Sequence, residues 1–116
     1  MMIYEIALRN MTEIEHLLQQ STLTDNMMVI NNSLIQSRQL LLKLQDMVLA
    51  TDKAELLQQF NTYAKIFDKY NDEALRFINQ PLFHDYGRLT KQLDEFIICS
   101  DDLKAIVKKS GLVTAH

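Results

Sequence analysis

The stretch from residue 27 to residue 50 has the clearest pattern of apolar and polar positions in the chain. Apolar residues recur there every three or four positions, and no glycine or proline interrupts them. This is the spacing of one face of an α-helix. Six of these residues predict a stripe that faces a core, namely Met27, Ile30, Leu34, Leu41, Leu44 and Val48. A helix with this stripe is not stable alone in water, so neighbouring helices must cover the stripe.

A second apolar row follows the flank of the same predicted helix. Its members, Met28, Ile35, Leu42 and Leu49, recur every seven residues. At 100° per residue they lie roughly 90–150° from the centre of the core-facing stripe, and a bundle helix needs a stripe of only ~100°. The row is therefore surplus, and we expect it to bind a partner helix or a second copy of the chain. The alternative is that another helix of the same chain covers it.

Apolar spacing predicts four helices, over residues 3–20, 26–50, 53–79 and 81–109. The third carries the most aromatic face, with Leu56, Phe60, Tyr63, Phe67, Tyr70, Ala74 and Phe77. The first presents Ile3, Ala7, Met11, Ile14, Leu17 and Leu18, and the fourth presents Leu82, Tyr86, Leu89, Leu93, Phe96, Leu103 and Val107. Every segment thus has a face to bury.

Polar residues between the apolar segments predict where the helices begin. Asp25 suits the N-cap of the second helix, because its carboxylate can accept hydrogen bonds from the free amides of the first turn. Asp52 and Glu55 have the spacing of a capping box, which favours a new helix at that point over one long continuous helix. Pro81 suits the first turn of the fourth helix.

These segments predict an all-α fold, a four-helix up-down bundle formed by one domain over residues 1–116. The alternative is a three-helix protomer that completes its core as a dimer. Ser100–Asp102 could cap a separate final helix over residues 101–109, or the fourth helix could continue through them. Gly111 suits the end of that helix.

Composition narrows the class of protein. The net charge of −3 does not favour a nucleic-acid surface, and no apolar run approaches the ~20 residues of a membrane span. The N-terminus lacks the pattern of a signal peptide. The single cysteine, Cys99, excludes an internal disulfide and suggests a reducing compartment. We expect a cytoplasmic protein.

Two histidines have neighbours that could form a chemical site with them. Glu13 and His16 share a helix face with the Glu-x-x-His spacing of di-iron bundles, but those proteins use the motif twice and the second copy is absent here. His84 beside Asp85 could orient a general base, yet no nucleophile has a recognisable context next to it. We expect no metal, no cofactor and no enzymatic activity.

Three other features are better explained by packing. Acidic neighbours should raise the pKa of Cys99 and leave it an unreactive thiol. The aromatic face of the third helix suits a core better than a base-stacking platform, because acidic and basic residues are interleaved with it. The lysines at 104, 108 and 109 suit the C-terminal turns of a helix.

The leucine-rich hairpin from Leu40 to Tyr63 resembles small helical export chaperones, such as those for flagellar or type III secretion substrates. The likeness covers this hairpin alone. It implies a role in binding another protein. We expect a non-enzymatic protein-binding module, that is, a chaperone, adaptor, inhibitor or regulator. The alternatives are a nucleic-acid-associated regulator, and a histidine phosphotransfer or metal-binding bundle.

Overall fold

The computed structural model describes residues 3–79 and 86–114, which form four α-helices and no strand. α1 spans Ile3–Thr22, α2 Met27–Thr51, α3 Ala54–Asn79 and α4 Tyr86–Thr114. Each helix packs against two others in a closed ring, in the order α1, α2, α3, α4. The molecule measures 54 × 21 × 18 Å, and its longest helix, α4, accounts for ~44 Å of the long dimension. The predicted all-α four-helix bundle is confirmed.

Ion pairs between neighbouring helices show that the chain runs up and down. Arg38 of α2 contacts Asp68 of α3 at 3.1 Å, and the two residues are nearly equidistant from the break between their helices. Arg88 of α4 contacts Glu73 of α3 at 2.8 Å, two residues after the start of α4 and six residues before the end of α3. Because only two residues join α2 to α3, the first contact fits antiparallel neighbours, and the second contact, close to the connection between α3 and α4, fits the same arrangement.

The core is built from the predicted apolar faces. All seven predicted residues of α3 are buried, and so are Ala7, Met11, Ile14, Leu18, Leu89, Leu93, Phe96, Leu103 and Val107 of α1 and α4. Five of the six core-facing residues of α2 are also buried. The exception is Met27, which is 43% exposed, because it lies in the first turn of α2 at the end of the bundle.

The N-cap of α2 is Asn26, not Asp25. The Asn26 backbone is extended, and its side-chain oxygen accepts hydrogen bonds from the amides of Met28 and Val29 at 3.0 and 3.3 Å. Thr24 Oγ1 accepts a hydrogen bond from the Asn26 amide at 3.1 Å and fixes the approach of the chain. A neutral amide oxygen therefore serves as the acceptor that a carboxylate was expected to provide.

The break after α2 occurs where the sequence predicts it, but Asp52 has a different role. It is the C-cap of α2, in the left-handed conformation with φ 56° and ψ 29°. Short polar side chains tolerate this conformation better than most, so Asp52 reverses the chain where glycine is the usual choice. Lys53 then precedes α3, and its carbonyl accepts a hydrogen bond from the Leu57 amide at 3.0 Å.

α4 is a single helix from Tyr86 to Thr114. Ser100 is buried within it and begins no new helix, and the helix continues beyond Gly111. The neighbouring turns of α4 pack their apolar face, including Phe96 and Leu103, on the same core, so nothing favours a break there. The predicted start at Pro81 lies outside the described residues.

The end of α1 lies two residues beyond its predicted position. Ser21 and Thr22 lie beyond the predicted end at residue 20, and their hydroxyls each donate a hydrogen bond to the Leu18 carbonyl at 2.8 Å. Tyr70 of α3 donates to the same carbonyl at 2.9 Å. These three side-chain donors meet at one carbonyl near the end of α1 and hold Ser21 and Thr22 in the helix.

Candidate functional site

Met28, Ile35, Leu42 and Leu49, here called the α2 row, lie on the outside of the bundle. Their side chains are 74%, 50%, 54% and 55% exposed. No helix of the described chain covers them, so the alternative that they belong to the core is wrong. Large apolar side chains exposed in a row along one helix mark a binding surface or an aggregation hazard.

The residues beside the α2 row are polar and mostly uncharged. Asn31, Arg38 and Gln45 follow along one side, and Asn32, Gln39 and Asp46 follow along the other, all of them exposed. The whole of α2 contains only three charged residues, the third being Lys43. The centres of protein interfaces are depleted in charge in the same way.

The neighbouring surface of α3 continues the apolar character. Leu57, Ala64 and Leu75 are separated from Asp68 by eleven, four and seven residues, so all three share the side of α3 that meets Arg38 of α2. Leu57 and Ala64 are half-buried and Leu75 is exposed. We call these three residues the α3 flank. Together with the α2 row they form one face of the bundle.

Arg38 joins the two halves of this face. Its guanidinium contacts Asp68 at 3.1 Å and lies 5.3 Å from the centroid of the Phe67 ring. The packing between α2 and α3 is otherwise the least extensive among the four neighbouring pairs. A charge that is paired and stacked at this position is largely fixed by its own chain.

The predicted chemical sites do not come together. Glu13 and His16 are exposed and line a shallow surface depression with Leu8, Arg9 and Thr12. Within residues 3–79 and 86–114, no group of three or more His, Cys, Asp or Glu side chains could hold a metal ion. His84, Asp85 and His116 lie outside the described residues.

Cys99 is buried against α3. Burial raises the pKa of its thiol, the nearby Asp102 carboxylate raises it further, and Gln59 opposes both effects by donating a hydrogen bond to Sγ at 3.9 Å. The predicted direction is confirmed, although burial rather than acidic neighbours is the main cause. A protonated, buried thiol is a poor nucleophile.

The aromatic residues of α3 lie inside the bundle and not on a stacking platform. Tyr63 and Phe67 pack against Phe96 of α4 with ring centroids 4.9 and 6.2 Å apart. The lysine cluster of α4 is also divided, because Lys104 pairs with Glu15 of α1 and both side chains are mostly buried. Two neighbouring exposed lysines remain, which is a small basic patch for a nucleic acid.

Sequence patterns did not reveal the polar contacts inside the bundle. The Glu15–Lys104 pair and the hydrogen bonds of Tyr70 join residues that are far apart in the chain. The hydroxyls of Tyr63 and Ser100 lie near each other, outside hydrogen-bonding geometry, and neither has a partner among the described residues. The spacing of apolar residues predicts which face of a helix is buried. Contacts between polar side chains also depend on how the helices are rotated and shifted against each other.

No helix in the described part of the chain is both long and apolar enough to span a bilayer. Comparisons with protein-family models, with curated proteins and with solved structures found no significant match to the chain.

Proposed function

We propose that the chain is a non-enzymatic protein-binding module and that the α2 row binds an amphipathic helix of a partner protein. The exposure of the row carries the proposal. Its four members extend over 22 residues of an uninterrupted helix, a length of ~32 Å. A site of this length suits another helix better than a small molecule or a loop.

The spacing of the α2 row defines the partner. A helix that packs along it meets one large apolar side chain every two turns, so the partner should itself present apolar residues at seven-residue spacing. Asn and Gln residues and only two charged residues, Arg38 and Asp46, border the row, and binding therefore removes few charges from water. The partner's own flanks should be polar and weakly charged.

A module of this kind would act by covering the apolar face of a partner helix, as a chaperone or adaptor does. The exposed Met28 side chain supports an adaptable surface, because methionine is unbranched and can fit more than one shape. The buried, protonated Cys99 is compatible with a reducing compartment, and we place the activity in the cytoplasm.

A phage-displayed library of heptad-patterned helical peptides tests this function. Panning on the wild-type chain should enrich peptides with an apolar residue at every seventh position. These peptides should lose at least about tenfold in affinity on Ile35→Glu/Leu42→Glu, because each glutamate places a charge within the apolar contact.

Ile98→Glu is the matched control. Ile98 is 64% exposed on α4, away from the α2 row, and its replacement should leave peptide affinity unchanged. The proposal is wrong if no peptide is enriched, or if the enriched peptides bind all three proteins equally well.

A further inference from the structure

We infer that, when no partner helix is bound, a second copy of the chain covers the α2 row by antiparallel α2–α2 packing about a twofold axis near Arg38 and Gln39. The inference rests on the proposed function, because it assigns an occupant to the same surface. The protein would then exist as a dimer that shields its own binding site.

The area of the α2 row and the α3 flank together favours a second copy of the chain over a single helix as the molecule that covers them. The α2 row is a strip ~32 Å long and about one helix wide, ~10 Å, or ~300 Å². A stable interface buries about 800 Å² on each side. The α3 flank roughly doubles the strip to ~600 Å², the lower end of the ~600–1,000 Å² that specific interfaces bury on each side. The α2–α3 face of a second copy can cover both strips, whereas one isolated helix covers about the area of one.

The positions of the two strips select the antiparallel arrangement. A twofold axis perpendicular to the helices brings each side of α2 against the same side of its copy, so both α3 flanks lie on one side of the seam and can meet. A parallel pair would place the two α3 flanks on opposite sides, and the contact would be limited to the α2 row.

The seven-residue repeat is symmetric about its midpoint and fits this axis. Met28 then packs against Leu49 of the partner subunit, and Ile35 packs against Leu42 of the partner subunit. On one side of the seam, Asn32 lies opposite Asp46 of the partner subunit, where the amide can donate a hydrogen bond to the carboxylate. Each apolar residue of the row meets another.

The charges at the centre of the seam allow the contact. Arg38 lies next to the axis and faces its own copy, which would be unfavourable for two bare cations. Each Arg38 guanidinium is already paired with Asp68 of its own chain at 3.1 Å. The axis therefore brings together two neutralised ion pairs, and the only other charges of α2, on Lys43 and Asp46, are opposite in sign.

Disulfide cross-linking in a Cys99→Ala background tests the arrangement. Gln39→Cys should cross-link to its own copy under mild oxidation, because residue 39 lies opposite residue 39 in the antiparallel pair. Asn32→Cys and Asp46→Cys should not cross-link when each is oxidised alone, but a mixture of the two should form a heterodimer.

Other patterns overturn the inference. A dimer in which Gln39→Cys does not cross-link to its own copy, or in which the mixture of Asn32→Cys and Asp46→Cys forms no heterodimer, would show that the two chains are not antiparallel about this axis. A wild-type chain that sediments at its monomer mass of 13.5 kDa at every concentration reached would show that there is no dimer. The Ile35→Glu/Leu42→Glu change should abolish the dimer and the cross-links, whereas Ile98→Glu should affect neither.

The two proposals fail separately. If the chain is monomeric but still binds heptad-patterned peptides through the α2 row, the inferred dimer is wrong and the proposed function still holds. If the chain forms a dimer with the expected cross-links but binds no peptide, the proposed function is wrong and the dimer still holds. If both hold, added peptide should reduce the yield of the Gln39→Cys cross-link, because peptide and second copy compete for one surface.

Discussion

At the scale of single residues, Tyr63 and Tyr70 occupy similar positions but have different hydroxyl environments. Both are buried and lie two turns apart on α3. The Tyr70 hydroxyl donates to the Leu18 carbonyl and lies 2.5 and 2.6 Å from the hydroxyls of Ser21 and Thr22. The Tyr63 hydroxyl has no hydrogen-bond partner among the described residues. Tyr70 therefore joins α3 to the end of α1 through polar contacts that Tyr63 lacks.

Removing the two hydroxyls should have unequal effects on stability. We expect Tyr70→Phe to lower the free energy of unfolding by about 1–2 kcal/mol, because it removes hydrogen bonds from buried acceptors. Tyr63→Phe should cost less, or stabilise, because it removes a polar group that is buried without a partner. Urea denaturation of both variants measures the difference. A larger loss for Tyr63→Phe would contradict the assigned hydrogen bonds.

Burial raises the pKa of both tyrosines above the ordinary value of 10.0, with Glu15 adding to the effect at Tyr63. The folded state thus holds these protons more tightly than the unfolded state. Their contribution to stability is complete below pH 10 and is lost as the pH rises from 10 towards the folded pKa.

We therefore expect stability to fall between about pH 9 and about pH 11, by up to ~1.4 kcal/mol per pH unit for each tyrosine. The fall should be smaller in Tyr63→Phe/Tyr70→Phe, which lacks both groups. Urea midpoints at the two pH values measure it. An equally steep fall in wild type and variant would show that other groups cause the pH dependence.

At the scale of the helix, the turn after α2 depends on the conformation of Asp52. An L-residue other than glycine costs roughly 1–2 kcal/mol in the left-handed region, and aspartate less than most. We expect Asp52→Ala to be about 1 kcal/mol less stable than Asp52→Gly, because only alanine has a side chain that clashes there. Thermal unfolding of the pair measures it. Equal stabilities would mean that residue 52 does not hold this conformation.

The helices could be predicted more accurately than their ends. A buried face recurs with the helix period, and for α3 this identified all seven buried residues. A cap depends on one hydrogen bond, so Asn26 could replace the neighbouring Asp25 without any change in the apolar pattern. The surplus α2 row was also predictable, because two separate apolar rows on one helix cannot both face one core.

At the scale of the whole molecule, Phe67 lies at the centre of the bundle. It is fully buried, packs on Phe96 of α4 and carries Arg38 of α2 over its ring. We expect Phe67→Ala to lower the free energy of unfolding by about 3–5 kcal/mol, because it removes this packing and leaves a cavity. A denaturant midpoint equal to that of the wild type would contradict the described core.

The sequence was sufficient to predict a bundle and the surplus row, but it does not specify what covers that row. Membership of the row follows from spacing within one helix. Its occupant depends on a surface that is not part of the same helix, and only the packing of α2 beside α3 reveals the second strip and the paired Arg38.

The most direct test of the docking surface measures stability and binding on one variant, Ile35→Glu/Leu42→Glu. Both side chains are at least half exposed, so the charges should not disturb the core. The variant should therefore unfold cooperatively, with the urea midpoint of the isolated wild-type monomer, while it loses self-association and peptide binding. A variant that is unfolded, or much less stable than this monomer, would contradict the account, because it would show that the α2 row is part of the core.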